Sequence, residues 1–88
     1  MAYKIAWTSS AKRSLQKLPE KVGHAVIEFI YGPMAGNPHR IGKPLRLQLA
    51  GLHSARRGDF RVIYRIDEAK ARIDILAIEH RSDVYRPR

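Results

Sequence analysis

Four arginines fall within ten residues of this chain: Arg56, Arg57, Arg61 and Arg65 in "RRGDFRVIYR". A guanidinium grips two phosphate oxygens at once and keeps its charge at any physiological pH, so the cluster is chemically suited to a phosphodiester. Near the other end, "AIEHRSDVYRPR" gathers His80, Arg81 and Tyr85. Metal-independent cleavage of RNA requires a group that takes the proton from a 2′-hydroxyl, a cation that stabilises the charge growing on phosphorus, and a donor for the leaving 5′-oxygen. His80, Tyr85 and the arginines are of those types. Each also has an ordinary reading: a histidine near a strand end packs at the surface, a terminal tyrosine docks on the core, and arginines cover a solvated face. The acidic residues are scattered and His24, His39, His53 and His80 show no ligand spacing, so neither a metal nor a cofactor is expected.

The element that must position the arginines is a hairpin. Gly58-Asp59 suits a two-residue turn with glycine at its first central position, the type II′ geometry. That register sets Arg57 opposite Phe60 and Arg56 opposite Arg61. Alternation then sends Phe60, Val62, Tyr64 and Ile66 to the core and Arg61, Ile63 and Arg65 to the other face. Arg56 facing Arg61 is a like-charge cross-strand contact that costs a few tenths to about 1 kcal/mol. A bound phosphate would relieve it; so would Asp59 or Glu79, and a one-residue slip would separate the pair.

Upstream, "AYKIAW" reads as a first strand, and "TSS" supplies hydroxyl caps for a short helix with Ala11, Leu15 and Leu18 on one face. Pro19 ends it and opens the next helix at its first position. Val22, Val26, Phe29 and Ile30 give that second helix its apolar side, and Gly32 and Pro33 stop it. Residues 32–44, with three glycines and three prolines, are expected to form a loop. Then "LRLQLA", "HSARR", "DFRVIYRI" and "ARIDILAIE" read as four strands. The expected fold is α+β: an antiparallel sheet packed against a helical hairpin, in one domain spanning residues 1–88.

The formal charge is +9, and it is not confined to a tail: residues 1–36 carry five cations against two anions, residues 37–88 twelve against six. Such a potential calls for an anionic partner, nucleic acid first and an acidic protein second. Lys43 and Arg46 in "GKPLR" join Arg56, Arg57 and Arg65 as candidate RNA or phosphate contacts. The chain has no cysteine, which removes disulfides and thiolate metal sites, and no apolar run long enough for a signal peptide or a membrane span. A cytoplasmic location is expected. There is no internal repeat and no linker.

"GKPL", the "GL" before a basic strand, "GDFRVIY" and "HRSDVYR" occur in an order that resembles the RelE/ParE superfamily of toxins from type II toxin–antitoxin systems, in particular its RelE branch. The similarity is close over residues 37 to 86 and the preceding strand and helices fit the same plan. It implies a ribosome-dependent mRNA endoribonuclease that cuts in the ribosomal A site, is held inactive by a cognate RelB-like antitoxin, and forms a toxin–antitoxin complex on operator DNA. By the same resemblance Arg61 stabilises the phosphate in the transition state, Arg56 contacts RNA, Arg81 belongs to the C-terminal basic motif and Tyr85 positions or activates the 2′-hydroxyl. His80 is carried over with them. In one respect the chain departs from the branch: where two lysines stand on the strand before the "GDFR" segment, it has Ser54 and Arg56, so one lysine able to act as base or charge stabiliser is missing.

Two other functions share these features. A ParE-like gyrase inhibitor has the same fold but acts by binding protein, and has no need of Arg61, Arg81 and Tyr85 together. A non-catalytic basic module for nucleic acid would tolerate lysine in place of Arg61, since nonspecific phosphate contact needs charge more than fork geometry.

Overall fold

The computed structural model describes residues 2–80 of the chain. Strand β1 (Lys4–Trp7) leads into helix α1 (Ser9–Gln16). Thr8 joins the two, its Oγ1 accepting from the Ala11 N–H at 3.1 Å and donating to the Ile75 carbonyl at 2.9 Å. One hydroxyl thus satisfies an open helix-end amide and ties the helix to the sheet. Helix α2 (Glu20–Phe29) follows, with Pro19 at its N-cap, one position earlier than expected. Pro33 does not stop the winding; the chain continues as a π-helical turn over Ile30–Met34. Pro33 has no N–H to return to the Phe29 carbonyl, and the wider turn takes up that missing bond while keeping Ile30 and Met34 fully buried.

The segment expected as a loop contains more structure than its composition suggests. Helix α3 (Pro38–Ile41) is a single turn with proline at its start, capped by Asn37 Oδ1, which accepts from the Arg40 N–H at 3.3 Å. Strand β2 is only Lys43–Pro44. "LRLQLA" is not a strand: Leu47–Leu49 form a 3₁₀ turn, and Leu47 has φ 58°, a left-handed conformation that ends any extended run. The Leu45 N–H donates to the Leu52 carbonyl at 2.9 Å, closing the excursion. Strands β3 (His53–Arg57), β4 (Phe60–Asp67) and β5 (Arg72–His80) lie where the alternation places them.

The sheet order is β1-β5-β4-β3-β2. β2 to β5 form an antiparallel meander, as expected, whereas β1 pairs parallel with β5. The long helical connection after β1 makes that pairing possible, since parallel neighbours need a crossover of a dozen or more residues. Phe60, Val62 and Tyr64 of β4 and Ile73, Ile75 and Ile78 of β5 meet Ala11, Val26 and Phe29 of the helices in one core. A bulge between Ile63 and Tyr64 in the β4–β5 pairing lets both strands keep their apolar side inward along the full length.

Tyr64 pins α3 to this core. It is fully buried, and its hydroxyl donates to the Pro38 carbonyl at 2.6 Å. Burial pushes the phenol up to about 12, so it stays a donor. Gly42, between α3 and β2, lies against this ring, and a Cβ there would run into the hydroxyl. Further out, Glu68 in the β4–β5 turn accepts from Tyr3 at 2.8 Å and meets His39 Nε2 at 2.7 Å, tying α3 to the same end of the sheet.

Candidate phosphate-binding face

The β3–β4 turn has Gly58 at φ 57° with Asp59 outside the positive region, as type II′ requires, and Arg56 pairs with Arg61 and Arg57 with Phe60. The outer face of the sheet, away from the helices, therefore carries Arg56 and Arg61 side by side, their Cβ atoms about 5 Å apart as for any directly opposed pair. On the other side of Arg61 stands Glu79 of β5, its direct partner in register. Glu79 Oε1 lies 3.5 Å from Arg61 Nη1, and both side chains are about half exposed, 52% and 48%. An ion pair this loose and this wet contributes at most about 1 kcal/mol, so Arg61 is easily drawn to a better anion.

One row further along the sheet, Lys43 of β2 opposes Ser54 of β3, which opposes Ile63. Alternation puts Lys43 and Ser54 on the same face as Arg56 and Arg61, so the ammonium of Lys43 borders the arginine pair from the edge strand. Arg46 lies just beyond β2, exposed, at the start of the 3₁₀ turn.

Arg65 shares the outer face but is already engaged. About 13 Å along β4 from Arg61, by strand rise, it donates to Asp74 Oδ2 at 3.2 Å. Arg72 donates to Asp74 Oδ1 at 2.8 Å and also meets Asp67 at 3.5 Å. Burial pushes the Asp74 carboxyl up, yet the hydrogen bonds from Arg72 and Arg65 outweigh it and hold the group below the ordinary value. This end of the face is electrically closed, whereas the hairpin end presents net positive charge.

Two of the candidate residues lie on the other face from Arg61. Arg57 lies on the helix side, its guanidinium 5.3 Å over the Phe29 ring. His80 pairs with Phe60 and so shares that inner face. Both line a cleft of about 610 Å³ between α2 and the hairpin, together with Lys21, Val22, Phe29 and Asp59. The sheet separates His80 from Arg61, because residues 79 and 80 project to opposite faces. Glu79, not His80, is the β5 side chain beside Arg61. The sequence held that signal: once Arg56 faces Arg61 and β5 continues the meander, alternation puts the residue opposite Arg61 on the same face. Arg81 and Tyr85 lie outside the described residues.

The family model for the ParE toxin of the type II toxin–antitoxin system, parDE, matches residues 5–85. Toxin RelE of Mycobacterium tuberculosis is 56% identical over 84 residues, covering 96% of this chain and 87% of that one. Toxin RelG of the same organism is 48% identical over 86 residues, 98% of this chain and 99% of that one. Among solved structures, a chain of the M. tuberculosis toxin–antitoxin complex RelBE2 superposes with a TM-score of 0.91 at 46% identity, over 94% of this chain and 95% of that one. The expected α+β toxin fold is thereby met by sequence and by coordinates, and the chain belongs to the RelE/ParE family of type II toxin–antitoxin toxins.

Proposed function

We propose that this toxin is a metal-independent, ribosome-dependent endoribonuclease that stops translation by cutting mRNA in the A site, and that a RelB-like antitoxin neutralises it. The observation that carries the reading is the opposed pair Arg56 and Arg61 on an open sheet face, with Lys43 at its border. Two guanidinium groups held side by side against their own repulsion form a site that a phosphodiester stabilises. Arg61, at the centre of its row, supplies charge to the oxygens of the pentacoordinate phosphorus, and Arg56 and Lys43 hold the strand on either side. Arg81 and Tyr85 complete the set by resemblance. The antitoxin partner is supported by the relative crystallised as RelBE2, a toxin–antitoxin complex. A cytoplasmic site of action fits this target, and among the described residues no helix is long and apolar enough to cross a membrane.

Among the described residues the face has no walls. Arg61 stays about half exposed, so the protein alone does little to exclude water or align a 2′-hydroxyl with its phosphorus, and the ribosome is assigned that positioning. The test is primer extension on a defined mRNA with purified toxin, with and without programmed ribosomes. Cuts are expected within the A-site codon only when ribosomes are present, and Arg61→Ala should abolish them while its melting curve matches wild type. Growth arrest without any cut would overturn the reading in favour of gyrase inhibition; cuts by Arg61→Ala at the wild-type rate would remove Arg61 from the site.

A further inference from the structure

The ribonuclease reading leaves one chemical role without an owner among the described residues: the group that takes the proton from the 2′-hydroxyl. Arginine cannot serve, because it has no lone pair to offer below extreme pH. His80 is of the right type but faces the helices, across the sheet from Arg61. Lys43 is one row away and stands on the edge strand. Asp67 and Asp74, the carboxylates at the far end of the outer face, are held by Arg72 and Arg65. Glu79 alone of these groups stands in the same row as the arginine pair, a half-exposed carboxylate 3.5 Å from Arg61.

Resting on that reading, we propose that Glu79 is the catalytic base, the group that deprotonates the 2′-hydroxyl of the nucleotide whose phosphate lies on Arg56 and Arg61. The row runs Arg56, Arg61, Glu79 across three adjacent strands, so a phosphate gripped by the two arginines has the carboxylate on its flank. Phosphate oxygens compete well for the Arg61 donors, since the fork geometry that Glu79 uses at only one long contact is matched bidentately by a phosphate. Binding therefore exchanges the partner of Arg61 and releases the carboxylate toward the sugar. In the reaction the O2′–H bond breaks and its proton passes to a Glu79 Oε. The O2′–P bond forms as the P–O5′ bond breaks, and the leaving 5′-oxygen takes a proton from water. The products are a 2′,3′-cyclic phosphate and a 5′-hydroxyl end.

The competing role is a neutralising one, in which Glu79 only offsets the charge of Arg61. The two make opposite predictions for Glu79→Gln, which keeps size and hydrogen bonding and removes the charge. A carboxylate on this face repels RNA, so Glu79→Gln binds mRNA-programmed ribosomes as tightly as wild type or tighter under either role. If Glu79 is the base, single-turnover cleavage falls by roughly 10²-fold or more, the pH–rate profile of the variant differs from that of wild type, and Glu79→Asp, with its carboxylate drawn back, recovers part of the rate. If it only neutralises charge, Glu79→Gln cuts at least as fast as wild type; that result, or a slowed variant that keeps the wild-type pH profile, overturns the assignment. A wild-type protein that cuts no mRNA on ribosomes overturns the ribonuclease reading and this inference with it, so the two failures are told apart in one experiment.

Discussion

Gly42 tests whether this fold is as tightly fitted around its loop as the geometry states. Its backbone is extended, with φ −116° and ψ 178°, so any residue could adopt the conformation. Space is the constraint. A Cβ would overlap the Tyr64 hydroxyl and come within 2.9 Å of the Ser54 carbonyl oxygen and 3.0 Å of Tyr64 Cζ. The ring cannot simply step aside, because it is fully buried, stacked on His53 at 5.5 Å and bonded to the Pro38 carbonyl. Gly42→Ala must therefore overpack the site, at about 1–3 kcal/mol. It must also stretch or break the Tyr64–Pro38 bond, at about 1–3 kcal/mol for the buried carbonyl left behind. The sum, about 2–6 kcal/mol, is a large part of the 5–15 kcal/mol that stabilises a typical small domain. Urea denaturation of Gly42→Ala, Tyr64→Phe and the double variant decides the matter. Tyr64→Phe deletes the oxygen that the new methyl would strike, so the alanine should cost at least about 1 kcal/mol less in the phenylalanine background than in wild type. Strict additivity, or a Gly42→Ala protein within about 0.5 kcal/mol of wild type, would refute the account.

Asp74 should make the fold acid-sensitive. Its folded carboxyl lies below the ordinary value of 3.8, so its contribution is present above that value and is lost as the pH falls through the lowered folded value. Asp74→Asn should lower the unfolding free energy from urea denaturation at neutral pH by about 1–3 kcal/mol, toward the low end because Arg65 is 56% exposed, and the gap to wild type should close in acid; a gap unchanged with pH would exclude the ion pairs as its source. Thr8→Ala should cost about 1–2 kcal/mol by the same measurement, since the hydroxyl both caps α1 and bonds the Ile75 carbonyl; Thr8→Ser should recover most of it, and a serine variant as weak as alanine would point to the lost methyl instead.

The hairpin was legible because turn chemistry and alternation act locally: Gly58-Asp59 fixes the turn, and the register that follows places Arg56 on Arg61 without reference to the rest of the molecule. The helix pair was legible for the same reason, from the caps and the spacing of Val22, Val26 and Phe29. What escaped depended on distant partners. "LRLQLA" alternates like a strand but has no neighbour to bind its far edge, and Leu47 turns left-handed instead. The parallel pairing of β1 with β5 joins residues nearly seventy positions apart, Ile5 with Ile73, and leaves no mark on either segment. The short α3 hides in a glycine- and proline-rich stretch, held by Tyr64 of β4 and by the contact of His39 with Glu68. For the site, the cations were read from composition. Proximity in sequence hides strand parity, which puts His80 on the face opposite Arg61 and Glu79 beside Arg61.

Parity also explains how one thin sheet separates two surfaces of different character. Toward the helices, the strand ends and α2 enclose a cleft with apolar walls, where Arg57 rests on Phe29 and His80 stands beside Phe60. Such a concave surface suits a protein side chain or helix. Away from the helices, the same strands present Lys43, Arg56, Arg61 and Glu79 on an open plane that suits a polyanion. A flat charged face in water gains little from each contact, since solvent screens charges that a dry pocket would strengthen. On the proposed reading, catalysis there would depend on a partner that covers the face and excludes water, which is what the ribosome would supply and what free RNA would not. The proposed dependence on the ribosome would then follow from the exposure of Arg61, and a cut rate on free RNA equal to that on programmed ribosomes would contradict it.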